Sequence, residues 1–121
     1  LIFDKYNKNM KNIEGLSIAQ TPKYSLNNNW MTILKINNKS KKINKEKLIK
    51  YLFSENIETR PVWYLNHLQK QFVKCQSYKI ENSLELFNNS ICLPSGTNLK
   101  NKDFNYVIKV LKTYNNTVIY E

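Results

Sequence analysis

Residues Ile57–Phe72 read IETRPVWYLNHLQKQF and hold the only Arg of the chain, Arg60, and the only His, His67. Pro61 disfavours helical geometry in the residue before it, so Arg60 is expected near the end of a short extended run from Ile57 to Val62. Trp63 and Tyr64 follow at once, and Asn66–Phe72 reads as a weak helical segment. An Arg at a strand end, an aromatic three residues on and a His four beyond can line one cleft, with Gln69 beside them. Arg would grip phosphate or carboxylate there, and His would hydrogen-bond a substrate or shuttle a proton. The plainer reading puts Arg60 in a surface ion pair, Trp63 in the core and His67 at the cap of a short helix. Spacing alone favours the plainer reading.

Working outward towards the N-terminus, Asn44 is suited to cap a helix from about Lys45 to Glu55. Leu48, Ile49, Leu52 and Phe53 form its apolar face, and Asn56 suits a left-handed helix end. Trp30–Ile36, WMTILKI, is rich in β-forming residues and predicts a strand. Loop signals precede it at Thr21-Pro22 and Asn27-Asn28-Asn29, and a turn is expected over Asn37–Ser40. Leu1, Ile2, Tyr6 and Met10 lie close to helical spacing, with Gly15 a stop signal a little beyond, which predicts a helix within residues 1–14. Its uncapped apolar start suggests a helix that was cut, so the chain is expected to be a piece of something longer.

Towards the C-terminus, Asn82–Asn89 is a second weak helix. Ile91-Cys92-Leu93 is a short strand ended by a turn at Pro94-Ser95-Gly96. Lys102–Tyr114 is the clearest helix: Phe104, Val107, Ile108 and Leu111 follow the i, i+3, i+4, i+7 pattern. Asn101 is its expected cap, and Asp103 suits the positive end of its dipole. Residues 115–121 are expected to be a short tail, either an extra strand or disordered. The order is helix, strand, helix, strand, two short helices, strand, helix. That describes one α+β domain, a small sheet with helices on one side.

Composition excludes more than it selects. Gly15 and Gly96 are the only glycines, so neither GxGxxG nor a Walker-type loop exists. Cys75 and Cys92 lack metal-ligand spacing and form no disulfide framework. There is no GxSxG, no HExxH and no carboxylate pair of recognisable spacing. Neither a membrane-length apolar run nor a signal segment is visible, and a cytoplasmic protein is expected. The formal net charge of +10 permits a nucleic-acid surface, an anionic membrane surface or a phosphorylated substrate. With one Arg, a Lys- and Asn-rich compositional habit accounts for it better. The sequons at Asn38, Asn88 and Asn115 follow from the same Asn richness.

The ordered series NNWMTILKI, a Lys-rich amphipathic helix, IETRPVWYLNHLQ, ICLPSG and a final helix resembles the C-terminal small domain of the DegT/DnrJ/StrS sugar aminotransferases, which have the type I fold of pyridoxal phosphate (PLP) enzymes. The resemblance runs from Leu1 to about Tyr114. ETRPVWYLNHLQ is its most specific portion and is similar to the legionaminic-acid-type branch. It implies an enzyme that moves an amino group from glutamate to a 4-keto-6-deoxy nucleotide sugar, for bacterial surface glycans or nonulosonic acids. It also implies that His67 approaches the cofactor and substrate and that Trp63 lies against the sugar. Arg60 would reach an anionic part of the substrate or hold the loop shape. Asn29 and Trp30 would stand at the substrate side of the first strand, with turn and core as their plainer roles.

In that family the Schiff-base lysine, the carboxylate on the pyridinium nitrogen and the phosphate cradle lie in a large N-terminal domain, and none of these motifs occurs here. No catalytic residue and no metal ligand is therefore expected in the chain. PLP is expected in the intact, homodimeric enzyme and not in this piece. The alternative from another class is a freestanding basic module for nucleic acid or for assembly.

Overall fold

The computed structural model describes residues 1–37 and 42–120, without the side chains of the last two. Four helices, α1 (Ile2–Met10), α2 (Lys45–Ser54), α3 (Glu81–Asn88) and α4 (Asn101–Tyr120), accompany four strands, β1 (Leu16–Ile18), β2 (Thr32–Ile36), β3 (Arg60–Pro61) and β4 (Ser90–Leu93). The sheet order is β1-β2-β4-β3 and every ladder is antiparallel. This is the α+β architecture expected.

Register explains the core. Ile18 stands opposite Leu34, and Leu34 opposite Ile91; Leu16 faces Ile36, and Thr32 faces Leu93. Residues opposite one another share a face, and alternate residues of β1 and β2 are buried. Against this face pack Tyr6 and Met10 of α1, Leu48 and Leu52 of α2, and Phe104, Val107, Ile108 and Leu111 of α4. Each large side chain so buried contributes roughly 1.5–3 kcal/mol. Tyr6 pins α1 to the end of the sheet: its hydroxyl donates to the Pro94 carbonyl at 3.0 Å, and its ring meets Phe104 edge-on at 4.8 Å. α3 contributes no buried residue. It borders the other side, where Asn82, Glu85 and Leu86 share a hollow with Lys35 and Ser90.

α2 begins and ends as its sequence dictates. The Asn44 side chain accepts from the Lys47 N–H at 2.9 Å. At the other end Asn56 has φ 58. The Ile57 N–H returns to the Leu52 carbonyl and the Asn56 N–H to Phe53, a Schellman motif with Leu52 and Ile57 both buried. Phe53, expected on the apolar face, is 73% exposed, because that face centres on Leu48 and Leu52.

Other expectations shift. The first helix stops at Met10, and Gly15 (φ 74) turns the chain into β1, a strand the sequence reading passes over. The segment from Asn66 forms only a 3-10 turn, Asn66–Leu68. Asn101 lies inside α4 and does not cap it; its side chain accepts from Lys5 Nζ at 2.6 Å. Residues 115–120 are neither strand nor disordered: they continue α4, because Tyr114 and Asn115 still bury against the domain. Asn38–Ser40 of the expected turn lie outside the described residues.

Candidate functional site: an exposed tryptophan pair beside the sheet end

The triple Asn27-Asn28-Asn29 shapes the approach to β2. The Asn29 N–H donates to Asn27 Oδ1 at 2.9 Å and the Trp30 N–H to Asn28 Oδ1 at 3.2 Å, two successive Asx turns. Asn29 itself sits at φ 53, a conformation Asn tolerates better than most residues. Its Oδ1 is enclosed and has no hydrogen-bond partner among the described residues. The turns deliver Trp30 just ahead of β2, while Pro61 ends β3 and releases Trp63 from the other edge.

The two indoles meet, with ring centroids 5.8 Å apart and planes tilted by 45°. Trp30 is 63% exposed and Trp63 59%, so neither is a core residue. Two adjacent exposed indoles offer a flat apolar surface with N–H donors at its edge, suited to a ring-shaped ligand or to another protein surface. Tyr64 turns the other way and meets Phe87 of α3 edge-on at 5.6 Å.

Arg60 pairs with Cys92 on the sheet edge. Its Nε and Nη2 both donate to Glu58 Oε1, at 3.1 and 2.8 Å, in an exposed pair. The guanidinium is thereby pre-aimed, yet it is held by an interaction worth only about 0–1 kcal/mol, which an incoming anion can displace. Arg60 also lines a cavity of about 780 Å³ between the end of α2, the end of β4 and the start of α4.

His67 stands elsewhere. On its 3-10 turn it lines a separate hollow of about 320 Å³ with Phe72, Cys75 and Ile80. Its Nε2 is enclosed and has no hydrogen-bond partner among the described residues. The tertiary structure thus joins Trp30 to Trp63 and Arg60 to Glu58, and it places Arg60 and His67 in different cavities.

Two features of this end of the sheet escaped sequence reasoning. Ser95 does more than turn the chain: its hydroxyl accepts from the Thr32 N–H and donates to the Leu93 carbonyl, both at 2.9 Å. Tyr106 donates to Glu55 Oε2 at 2.7 Å, and that hydrogen bond raises the phenol above its ordinary pKa. The first contact spans 63 positions and the second 51, so no local pattern announces either.

Residues 1–112 match the DegT/DnrJ/EryC1/StrS aminotransferase family. The chain belongs to that family. It is 31% identical over 114 residues to EpsN of Bacillus subtilis (strain 168), a protein named as a pyridoxal phosphate-dependent aminotransferase; the match covers 91% of this chain and 29% of EpsN. Among solved structures, DesI in the presence of its TDP-sugar product superposes with a TM-score of 0.81 at 19% identity, over 94% of this chain and 29% of DesI. The aminotransferase TlmJ from Streptoalloteichus hindustanus gives 0.80 at 13% identity, over 99% and 31%. This family member therefore spans under a third of the length of these relatives, and the structural likeness establishes its fold. Among the described residues no helix is long and apolar enough to cross a membrane, and no cluster of three His, Cys, Asp or Glu is placed to hold a metal ion.

Proposed function

We propose that this chain is the C-terminal small domain of a PLP-dependent sugar aminotransferase and forms one wall of its substrate cleft. The observation that carries the reading is the family match over nearly the whole chain, at under a third of the relatives' length. The substrate is a 4-keto-6-deoxy nucleotide sugar of the legionaminic-acid type, aminated in the cytoplasm by a homodimer with glutamate as donor. Asn29 fixes the turn that presents Trp30, and Trp30 and Trp63 together give the sugar an apolar wall. Arg60 turns from Glu58 to an anionic group of the substrate, and His67 borders the cofactor region.

PLP supplies the electron sink and carries the amino group when bound. The residues of this chain do not fit a covalent site for it. A Schiff-base lysine is activated by desolvation or by a cationic neighbour. Every described lysine is exposed except Lys45, which is half-buried and donates to the Phe87 carbonyl at 2.9 Å. The lysine and the phosphate cradle are assigned to the remainder of the longer enzyme, and this chain alone does not transaminate.

The test uses the longer protein. Its visible absorbance in the presence of PLP should change on adding glutamate and return on adding the keto sugar. Trp63→Ala should then lower kcat/KM at least about tenfold, roughly 1.4 kcal/mol, with the glutamate half-reaction unchanged. A protein that takes up no PLP, or a Trp63→Ala variant with unaltered sugar kinetics, removes the reading.

A further inference from the structure

β4 lies between β2 and β3 in the sheet, and its last residue, Leu93, stands opposite Thr32, the first residue of β2. Pro94 comes next and has no N–H with which to continue the ladder. The Ser95 hydroxyl takes over at that point. It accepts from the Thr32 N–H and donates to the Leu93 carbonyl, both at 2.9 Å, and so ties one main-chain group from each strand. The turn that carries it is anchored in its own right, since the Pro94 carbonyl accepts from the Tyr6 hydroxyl at 3.0 Å. Thr32 is fully buried, so its N–H is shielded from solvent and loses its acceptor if the hydroxyl is removed.

Trp30 precedes Thr32 by two residues, and its own N–H donates to Asn28 Oδ1 at 3.2 Å. The indole therefore springs from a segment fixed on both sides, by the Asx turn before it and by the Ser95 hydroxyl after it. Trp63 leaves β3, on the opposite flank of β4, so the 5.8 Å contact of the two rings joins chain from both sides of that strand. The rest of the ladder fixes the register of β2. The Ser95 hydrogen bonds fix how far its first residue stays on the sheet. Without them β2 begins later, and Trp30 hangs from a longer free segment.

We infer that Ser95 is a positioning residue: its hydroxyl holds the start of β2 on β4 and thereby keeps Trp30 against Trp63, the apolar wall proposed for the sugar. The hydroxyl acts through Trp30 and not on the sugar itself. Its kinetic consequence rests on that proposed wall, whereas its effect on the indole pair rests on the hydrogen bonds alone.

Trp30 and Trp63 are the only tryptophans of the chain, so an indole exciton couplet in circular dichroism reports their contact alone. In the 121-residue chain, Ser95→Ala should lose most of that couplet, as Trp63→Phe does, while the helical signal is retained. Ser95→Thr, which keeps the hydroxyl, should restore it. In the longer enzyme, Ser95→Ala should raise KM for the keto sugar at least about fivefold and leave the glutamate half-reaction unchanged. Asn44→Ala, a cap lost from α2, should alter neither the couplet nor that KM. Should Ser95→Ala fail to fold, Ser95→Cys, of similar shape but with a weak hydrogen-bonding group, repeats the test. A full couplet in folded Ser95→Ala, or no recovery in Ser95→Thr, overturns the inference. So does an unchanged sugar KM in Ser95→Ala where Trp63→Ala alters the sugar kinetics. Unaltered sugar kinetics in Trp63→Ala remove the sugar wall instead, and a couplet lost in Ser95→Ala then still upholds the hold of the hydroxyl on the pair.

Discussion

On the side of the sheet where α1, α2 and α4 pack, Phe104, Val107, Ile108 and Leu111 follow helical spacing and all four are buried. In the segments 24–30 and 63–78, Tyr24, Leu26, Trp30, Trp63, Val73 and Tyr78 are just as apolar, and all six are exposed. The first set belongs to regular elements whose period brings its members to one face. The second belongs to irregular chain, so each member's position depends on a turn or on the end of a strand. Apolar residues in the first region are satisfied within the domain. Those in the second are not satisfied within it.

Five measurements break or sharpen this contrast. Leu111→Ala, at a fully buried position of α4, should cost about 2–5 kcal/mol in denaturant unfolding, while Trp63→Ala in the same assay should stay within about 1 kcal/mol. A comparable loss at Trp63 would make the exposed region part of the core. Tyr6→Phe leaves the Pro94 carbonyl without its donor and should cost about 0.5–1.5 kcal/mol near neutral pH.

Tyr6 also sets a pH dependence. Burial raises its phenol well above the ordinary value, so the folded state keeps the proton where the unfolded chain loses it. Its contribution is therefore complete below about pH 10 and declines as pH rises above that. Unfolding followed by fluorescence should show the gap between wild type and Tyr6→Phe closing in alkali. A gap that widens would contradict burial as the cause.

Asn44→Ala removes the one side-chain acceptor of the α2 cap and should cost about 1 kcal/mol, read as a lowered denaturation midpoint. The smallest effect is expected at the exposed pair: Glu58→Gln should change stability by less than about 0.5 kcal/mol. A larger loss would show that the pair holds β3 in place and is not free to release Arg60 to an anion.

Much of the fold was legible wherever a period or a cap acts locally. The Asn44 cap, the left-handed Asn56, strand β2 and the face of α4 are each dictated within a few residues. β1 was not legible, because a three-residue strand exists only through its pairing with β2. Asn101 looked like a cap because its residue type fits one, but the helix is already under way there and Lys5 claims its side chain. The candidate site divided in the same manner. Pro61 announces the break that frees Trp63, whereas nothing local says that Trp30, 33 positions earlier, lies against it. The distance between Arg60 and His67 was equally hidden: seven positions in sequence fix no direction once the chain leaves the strand.

By itself, the sequence determined that α1, α2 and α4 are helices and β2 and β4 strands, which face of α4 is buried, and the family whose ordered motifs run along the chain. Each of these follows from near-neighbour sterics, hydrogen bonding and periodic burial. The tertiary structure alone decided that the two tryptophans pair, that Arg60 rests on Glu58, and that Glu55, Arg60 and Asp103 line one groove. These depend on contacts between distant or irregular segments, and there the order of side chains along the chain carries no information about their order in space.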